Sequence, residues 1–266
     1  MLSPLDINRT IMAFLYKYDE SKASDEFLQK LLDRTMEEGF YTYKGEGNGP
    51  KIDKGIFAMT FWLHCLFLQP KSISYLSRMI EDVRKIADEA SGVDIKFKES
   101  GKDLRENFLD IQCNQLLEGL LILKYLHKDD QLVPDIDQLL EQLTKAYFLL
   151  LKEKNYNTKS HFQKNMNFFL KKKIFPNETV ESEFRVPPFS VDFLIPAKKL
   201  IIECHGKQHF LFNTSQLKFT DKRKVQILES MGYKVIEVPI HQWEALNPDK
   251  KENYLLERIK EKGIGL

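Results

Sequence analysis

Two acidic side chains lie inside strand-like runs, where a protein would ordinarily bury apolar groups. Asp192 belongs to the run 190–195, and Glu203 and His205 belong to the run 200–205; both runs are rich in β-branched and aromatic residues. A short turn that contains proline separates them, which predicts a hairpin. Because side chains alternate faces along a strand, the two carboxylates and the imidazole converge if the two faces coincide.

Converging carboxylates repel each other and lose hydration, so they need a divalent cation, a basic partner or raised pKa values. A divalent metal held by Asp192 and Glu203 would polarise a phosphate and activate water, which is the chemistry of phosphodiester cleavage. The imidazole of His205 is a further potential metal ligand. The structural alternative is that a lysine of the next predicted helix, such as Lys222 or Lys224, holds the two acids.

A strand Asp followed by a hydrophobic strand that ends in Glu-x-basic resembles the PD-(D/E)XK nuclease superfamily. Here the last motif is Glu203-Cys204-His205, so His205 stands where that superfamily has its lysine. The resemblance implies a Mg²⁺-dependent endonuclease whose catalytic candidates are Asp192, Glu203, His205 and Lys207. In that hypothesis His205 or Lys207 substitutes for the lysine, and Lys207 shares the face of His205 only if the strand continues past Gly206.

Further motifs follow in order along the C-terminal half. They are Glu183 in a predicted strand over 179–186, the run Ile202-Glu203-x-x-Gly206-x-x-His209-Phe210, the triplet Lys222-Arg223-Lys224, the run Gly232-Tyr233-Lys234-Val235-Ile236, and Pro239-x-x-x-Trp243. This order resembles a RAP domain, the RNA-binding domain abundant in apicomplexans, over residues 158–263. RAP domains usually carry an Asp where this chain has His205.

The RAP resemblance implies the fold of the very-short-patch-repair endonucleases. RAP proteins, including the Fas-activated serine/threonine kinase family of mitochondria, act mostly in organellar RNA metabolism. We therefore expect a mitochondrial RNA-binding protein that acts in RNA processing or stability, or as an RNA-contacting subunit of the mitochondrial ribosome. The alternatives are the endonuclease, the one case that requires Mg²⁺, and a protein-docking module. The N-terminus lacks the Arg-rich, acid-poor pattern of a transit peptide, so the mitochondrial expectation depends on the resemblance.

Charged residues are distributed unequally along the 266 residues of the chain. Residues 1–150 carry 19 Lys and Arg against 25 Asp and Glu, whereas residues 151–266 carry 21 against 14, a net charge of +7. The excess favours association with polyphosphate, although a solvated surface explains it equally well. The candidate RNA-binding cations are Lys198, Lys199, Lys207, Lys218, Lys222, Arg223 and Lys224. Phe210 and Phe212 are suited to stack on bases or to join the core.

The first half has helical periodicity throughout. Helices are predicted over 5–18, between Ser24 and Gly39, and over 56–68, 73–90, 104–126 and 136–152. The Gly-rich segment 41–55 is expected to be an exposed loop, and Gly92 and Gly101 to bracket a connection. We expect an all-helical domain over 1–155, either an array of degenerate repeats, as RAP proteins often have, or a bundle. Such a domain offers a surface to RNA or to ribosomal or other RNA-binding proteins.

The second half follows a domain boundary at 155–158. Ser160 and Gln163 form a capping-box pattern that begins a helix over 160–173. The predicted strands 179–186, 190–195 and 200–205 come next, then a helix over 216–231 and a strand over 233–238. The expected fold is a three-layer α/β domain of the restriction-endonuclease type over 158–263. No apolar run is long enough to cross a membrane, and the three scattered cysteines are expected to be buried thiols.

Overall fold

The computed structural model describes residues 3–17, 26–37, 39–44, 50–67, 70–100, 110–127, 134–151 and 159–265. Helices predominate, and a small mixed sheet lies in the C-terminal part. The chain divides into two compact units, Met1–Lys154 and Asn155–Leu266. The boundary predicted at 155–158 lies outside the described residues. Across the described ranges, no helix combines the length and the apolar character needed to span a membrane.

The N-terminal unit contains six helices and a short hairpin among its described residues. Its elements are α1 Pro4–Lys17, α2 Glu26–Thr35, β1 Thr42–Lys44, β2 Pro50–Ile52, α3 Lys54–Leu66, α4 Pro70–Ser100, α5 Asp110–Leu121 with a π-helical continuation Ile122–His127, and α6 Ile136–Leu151. The unit is helical as expected except at one place: the segment expected to be a loop carries the antiparallel pair β1 and β2, so the loop prediction is wrong there. Strands of three residues beside a Gly-rich run give too little alternation to be recognised.

Helix α3 is the centre of this unit, as its all-round apolar sequence predicts. It contacts α1, α4 and α5, and the side chains of Phe57, Phe61 and Leu63 are fully buried. A Cβ on Gly119 of α5 would lie 2.7 Å from a ring carbon of Phe61, so the close approach of α5 to α3 requires glycine. This arrangement favours a bundle over a linear array of repeats.

The predicted connection at Gly92 is also wrong, because α4 continues through this residue to Ser100. An isolated glycine costs a helix only about 1 kcal/mol, which this helix tolerates. Residue 101 and the predicted start of the next helix at Leu104 lie outside the described residues.

The C-terminal unit begins with α7 His161–Phe169, which continues as a π-helical turn, Leu170–Ile174. The remaining elements are β3 Glu181–Val186, β4 Phe189–Ile195, β5 Leu200–His205, α8 Phe219–Ser230, β6 Lys234–Pro239, α9 Ile240–Glu244 and α10 Pro248–Glu261. The predicted order of helices and strands is confirmed. The bounds of β4 and β5 agree with the predicted hairpin to within one residue. Helices α9 and α10 were not predicted.

The four-stranded sheet has the order β3-β4-β5-β6. The first three strands are antiparallel, and β6 runs parallel to β5 after the crossover through α8. Phe193, Ile202 and Ile236 of the sheet lie in one apolar core with side chains of α7, α9 and α10. Trp243 of α9 is 2% exposed in this core. Since side chains alternate, Asp192 and Glu203 lie on the opposite face of the sheet.

Candidate functional site

Each strand of the C-terminal sheet contributes one carboxylate to a row across that opposite face. The β3–β4 register sets Glu183 against Asp192, and continuing the β4–β5 register sets Asp192 against Glu203. Glu203 is the direct partner of Glu237 in the parallel β5–β6 pair. We call Glu183, Asp192, Glu203 and Glu237 the acidic row. Asp192 and Glu203 therefore lie side by side on one face of the sheet, as strand alternation predicts.

Hydrogen bonds satisfy the carboxylate of Asp192 on both sides. Its Oδ2 accepts the backbone N–H of Cys204 at 2.6 Å, just beyond the last paired residues of β4 and β5. Its Oδ1 accepts from the Nε2 of Gln163 at 2.6 Å, and the same amide donates to Glu183 at 3.0 Å. Gln163 is held in place by the predicted capping box with Ser160, which is confirmed. A residue recognised as a helix cap thus also bridges two acids of the row.

Glu203 is the buried centre of the row, at 5% exposure. The ammonium of Lys224 on α8 donates to its Oε2 at 2.8 Å and to the carbonyl of Ser190 at 2.7 Å. Loss of hydration raises the pKa of Glu203, the ammonium of Lys224 opposes that rise, and the charge of Asp192 adds to it. The other oxygen, Oε1, is buried and has no hydrogen-bond partner among the described residues. Lys224 therefore supplies the basic partner that sequence analysis offered as the structural alternative.

At the edge of the sheet, the pKa of Glu183 is also raised, by partial loss of hydration and by the neighbouring Asp192 charge. Glu183 has a backbone φ of +54°, a left-handed conformation that interrupts the β3–β4 pairing at this residue. The backbone of β3 is therefore strained at Glu183, the residue that faces Asp192.

His205 and Lys207, the two proposed substitutes for the nuclease lysine, are placed differently. His205 is the last residue of β5 and is 3% exposed, with its Nε2 at 3.2 Å from the Oε1 of Glu237. The strand ends there, as expected, and Lys207 lies exposed in a 3-10 turn. Lys207 therefore does not join the buried acids. The one ammonium that contacts the centre of the row belongs, within the described part of the chain, to Lys224.

The seven predicted RNA-binding cations fall into three groups. Two of them tie the unit together internally: Lys224 through Glu203, and Lys198 through Glu178 at 3.1 Å and the carbonyl of Gly265 at 2.8 Å. Lys199 and Lys207 are exposed. The remaining three, Lys218, Lys222 and Arg223, are half-buried at the start of α8.

The segment Gly206–Lys218, which we call the recognition loop, connects β5 to α8 and is held by its own backbone. Leu211 donates its N–H to the carbonyl of Gln216 at 2.8 Å, and Lys218 donates to the carbonyl of His209 at 2.9 Å. Phe210 forms an isolated bridge with Leu217. Phe212 at the tip is 90% exposed, more than any other large apolar side chain described. Of the two predicted stacking candidates, Phe212 is thus the one available to a ligand.

Residues 202–258 match the family model described as RAP domain. The chain contains a RAP domain. RAP domains are in general RNA-binding domains. The match begins within β5 and ends within α10, so it includes Glu203, His205 and the recognition loop, whereas Glu183 and Asp192 precede it. A comparison with curated proteins gave no match.

Three contributors to this region were missed at the level of sequence. Gln163 was recognised as a cap only, because the distance between α7 and the sheet has no local signal. Glu237 and Asp221 depend on the β5–β6 register and on the start of α8, which bring them near His205 and His209. The sequence signal that could have identified Glu237 is an acidic residue within the apolar run of β6.

Proposed function

We propose that this protein binds single-stranded RNA through the recognition loop of its RAP domain. The observation that carries the proposal is the 90% exposure of Phe212 on a loop that is fixed by backbone hydrogen bonds and lies inside the RAP match. Burying such a side chain would stabilise the fold by about 1.5–3 kcal/mol. Its exposure is therefore suited to a ligand with an aromatic face, as the bases of single-stranded RNA have.

The charges near the loop support the same ligand. Lys207 is exposed at the beginning of the loop, and Lys218 lies at its end. Cations on both sides of a stacking ring contact the phosphates that flank a stacked base, and they add affinity that depends on salt and not on sequence. The net charge of +7 over residues 151–266 favours the approach of RNA.

The acidic row, in this proposal, is a structural element. Its centre is neutralised by Lys224, and Asp192 is satisfied by Gln163 and the Cys204 amide. We propose that the unit has the three-layer fold of the restriction-endonuclease type, supported by a mixed sheet with α7 before it and α8 between β5 and β6. The row then fixes the end of β5, from which the recognition loop begins.

The setting we propose is mitochondrial, either in RNA processing and stability or as an RNA-contacting subunit of the mitochondrial ribosome. The support is the resemblance to RAP proteins of organellar RNA metabolism. Cell fractionation followed by sequencing of RNA crosslinked to the protein tests it. Enrichment of mitochondrial messenger or ribosomal RNA is expected, and recovery of the protein outside mitochondria with other RNAs would contradict it.

The test of RNA binding is fluorescence anisotropy with the full chain and labelled single-stranded and duplex RNA. Phe212→Ala is expected to weaken single-stranded binding by about 5- to 150-fold, since stacking contributes about 1–3 kcal/mol per base. Phe168→Ala is the matched control, because Phe168 is also exposed, at 53%, but lies on α7 outside the RAP match. Equal affinities for both variants and the wild type would contradict the proposed role of Phe212.

Salt dependence decides whether the protein binds RNA or docks to proteins. RNA binding is expected to weaken linearly with the logarithm of salt concentration, since contacts to phosphates release counterions. Absence of RNA binding at low salt, together with salt-insensitive association with a protein partner, would favour the protein-docking module instead.

A metal-dependent endonuclease is the second candidate, and one observation favours it. The unpartnered Oε1 of Glu203 lies in the row beside Asp192, with the Lys224 ammonium next to them. Asp192 and Glu203 would hold a Mg²⁺ ion, which would supply Lewis acidity toward a phosphate. The fit is incomplete, because both oxygens of Asp192 already accept hydrogen bonds.

Cleavage and binding are measured together in a gel over a Mg²⁺ and Mn²⁺ titration with single-stranded and hairpin RNA. We expect binding without cleavage. Metal-dependent cleavage that disappears in Glu203→Gln would establish the endonuclease and overturn the structural role of the row.

A further inference from the structure

Two histidines and an aspartate meet where the recognition loop joins the sheet and α8. His205 ends β5, His209 lies in the 3-10 turn of the loop, and Asp221 lies in the first turn of α8. One ligand atom from each side chain lies within 4.8 Å of the others. The Nδ1 of His209 is 2.9 Å from the Oδ1 of Asp221, and the two imidazole rings are 5.2 Å apart.

A second, independent observation points to a ligand at this cluster. His205 is 3% exposed, yet its Nε2 is a buried atom without a hydrogen-bond partner within the described ranges. The Oε1 of Glu237 is 3.2 Å away and is likewise buried and unpartnered, because the geometry between the two atoms is not that of a hydrogen bond. Buried polar atoms without partners are rare and costly. An ion bound at the other ring nitrogen of His205, Nδ1, would orient the ring and fix the tautomer in which Nε2–H donates to Glu237, which gives both atoms a hydrogen bond.

We infer that His205, His209 and Asp221 form a binding site for a divalent transition-metal ion, with Zn²⁺ as the representative ion. Two imidazoles and a carboxylate are ligands that Zn²⁺ takes in proteins, whereas Mg²⁺ prefers oxygen ligands alone. Ligand atoms around a tetrahedral Zn²⁺ lie about 3.3 Å apart, given bonds of about 2.0–2.1 Å. The ligand atoms of the cluster lie within 4.8 Å of one another, so they need to approach each other by up to about 1.5 Å to hold the ion.

Glu237 has the position of an outer-shell partner in this site. Metal-bound histidines usually donate their second ring N–H to a carboxylate, which orients the ring. The Oε1 of Glu237 at 3.2 Å from His205 Nε2 is placed for that role once the ring turns slightly. The site is distinct from the Asp192 and Glu203 pair, because its ligands come from the end of β5, the loop and α8.

The ion would hold both ends of the recognition loop together. His209 lies near the beginning of the loop and Asp221 lies just past its end at Lys218. A metal between them restricts the loop that presents Phe212 and lowers the ordering cost of RNA binding. The metal site is inferred from its own residues, whereas this effect on RNA rests on the proposed function.

The experiment titrates the untagged full chain with Co²⁺ by visible absorption, and with Zn²⁺ by competition and by isothermal calorimetry. One ion per chain is expected, and millimolar Mg²⁺ is not expected to displace it. His209→Ala and Asp221→Asn are expected to weaken binding by more than about 100-fold, and Glu237→Gln by about 10- to 100-fold, as outer-shell losses do. His161→Ala is the matched control, since His161 is an exposed histidine of the same unit.

Asp221→Asn keeps the inference testable if His209→Ala fails to fold, because it preserves the size of the side chain. Wild-type stoichiometric binding lost in His209→Ala or Asp221→Asn and kept in His161→Ala supports the site. Absence of Co²⁺ and Zn²⁺ binding by the folded wild type, or binding that survives both cluster variants, overturns it. RNA affinity is measured in parallel with saturating Zn²⁺ and with EDTA, so that failure of RNA binding under both conditions counts against the proposed function and not against the metal site.

Discussion

The two units bury polar groups in opposite ways. Among the described residues of the N-terminal unit, the buried polar side chains are neutral and their hydrogen bonds join neutral groups: Asn8 donates to Thr60 at 3.0 Å, and His64 lies 2.7 Å from the hydroxyl of Thr35. The Oδ1 of Asn8 is buried without a partner there. In the C-terminal unit the buried polar groups of the sheet are charged, with Glu203 against Lys224 and an oxygen of Glu203 left without a partner. Neutral pairs of this kind hold helices in register, whereas the charged pair holds the acidic row, which we propose fixes the end of β5 where the recognition loop begins.

Of the changes predicted here, the loss of Lys224 is expected to lower stability most. Lys224→Met leaves Glu203 buried without its cation, which should lower the free energy of unfolding of the C-terminal unit by about 3–5 kcal/mol. Urea unfolding followed by Trp243 fluorescence in a Trp62→Phe background measures it. Lys262→Met is the matched control, because Lys262 forms a pair of nearly the same length, 2.7 Å against 2.8 Å, with Glu229 at the surface, at 39% and 41% side-chain exposure.

The control pair is expected to contribute less than about 1 kcal/mol, as surface pairs do. Adding Glu203→Gln to Lys224→Met is expected to restore part of the lost stability, because the uncompensated charge is then gone. Similar losses of stability in Lys224→Met and Lys262→Met would show that the buried pair contributes no more than the surface pair, which would contradict the prediction.

Acid is expected to destabilise the N-terminal unit through His64. Burial lowers the pKa of His64 from 6.5 to about 4. Between these values the unfolded chain binds the proton and the folded chain does not, so the stabilisation is present above pH 6.5 and is lost as the pH falls toward 4. The loss is about 3 kcal/mol for this shift.

The measurement is urea unfolding at pH 7 and pH 4.5, followed by the fluorescence of Trp62 on α3 in a Trp243→Phe background. His64→Gln is expected to flatten the pH dependence. A pH dependence that is unchanged in this variant would assign it to other groups.

A smaller effect of opposite sign is expected in the C-terminal unit. Burial raises the pKa of Glu203, so the unfolded chain releases this proton at a lower pH than the folded chain does. Glu203 therefore destabilises the unit as the pH rises from about 4.5 through its folded pKa. Because the Lys224 ammonium opposes the rise, we expect a smaller change than that of His64. Glu203→Gln should remove it in unfolding curves recorded with Trp243, and a steeper dependence in that variant would contradict the assignment.

The smallest expected change concerns the cap that carries Gln163. Ser160→Ala removes the acceptor of the Gln163 N–H, a bond of 3.1 Å, and should cost about 1 kcal/mol of stability in the C-terminal unit. The bridge from Gln163 to Asp192 and Glu183 should loosen at the same time. Thr214→Ala, in the recognition loop, is a control that leaves the cap intact. An equal loss of stability in this variant would contradict a specific contribution of the cap.

The parts that sequence predicted are those with local signals. The β4–β5 hairpin, the Ser160 cap and the buried helix α3 each follow from composition or spacing within a few residues. The convergence of Asp192 and Glu203 follows from strand alternation, which fixes faces once two strands pair. The choice of Lys224 over Lys222 does not follow, because it depends on the rotation of α8 over the sheet.

Other features depend on structure that no local pattern encodes. The strands β1 and β2 are too short to show alternation, and α10 begins at Pro248 in a strongly charged segment without a clear apolar period. Glu237 meets His205 through the parallel register of β5 and β6, and Asp221 meets His209 through the path of the recognition loop. The exposure of Phe212 also needed the structure, since a Phe after a strand is as suited to the core.

The most direct measurement is photocrosslinking of the full chain to single-stranded RNA that contains 4-thiouridine, with the attached peptides identified by mass spectrometry. We predict that the principal crosslinks fall on the recognition loop, at or beside Phe212, and that Phe212→Ala reduces them while Phe168→Ala does not. Crosslinks confined to the N-terminal unit, or unchanged by Phe212→Ala, would contradict RNA recognition by this loop.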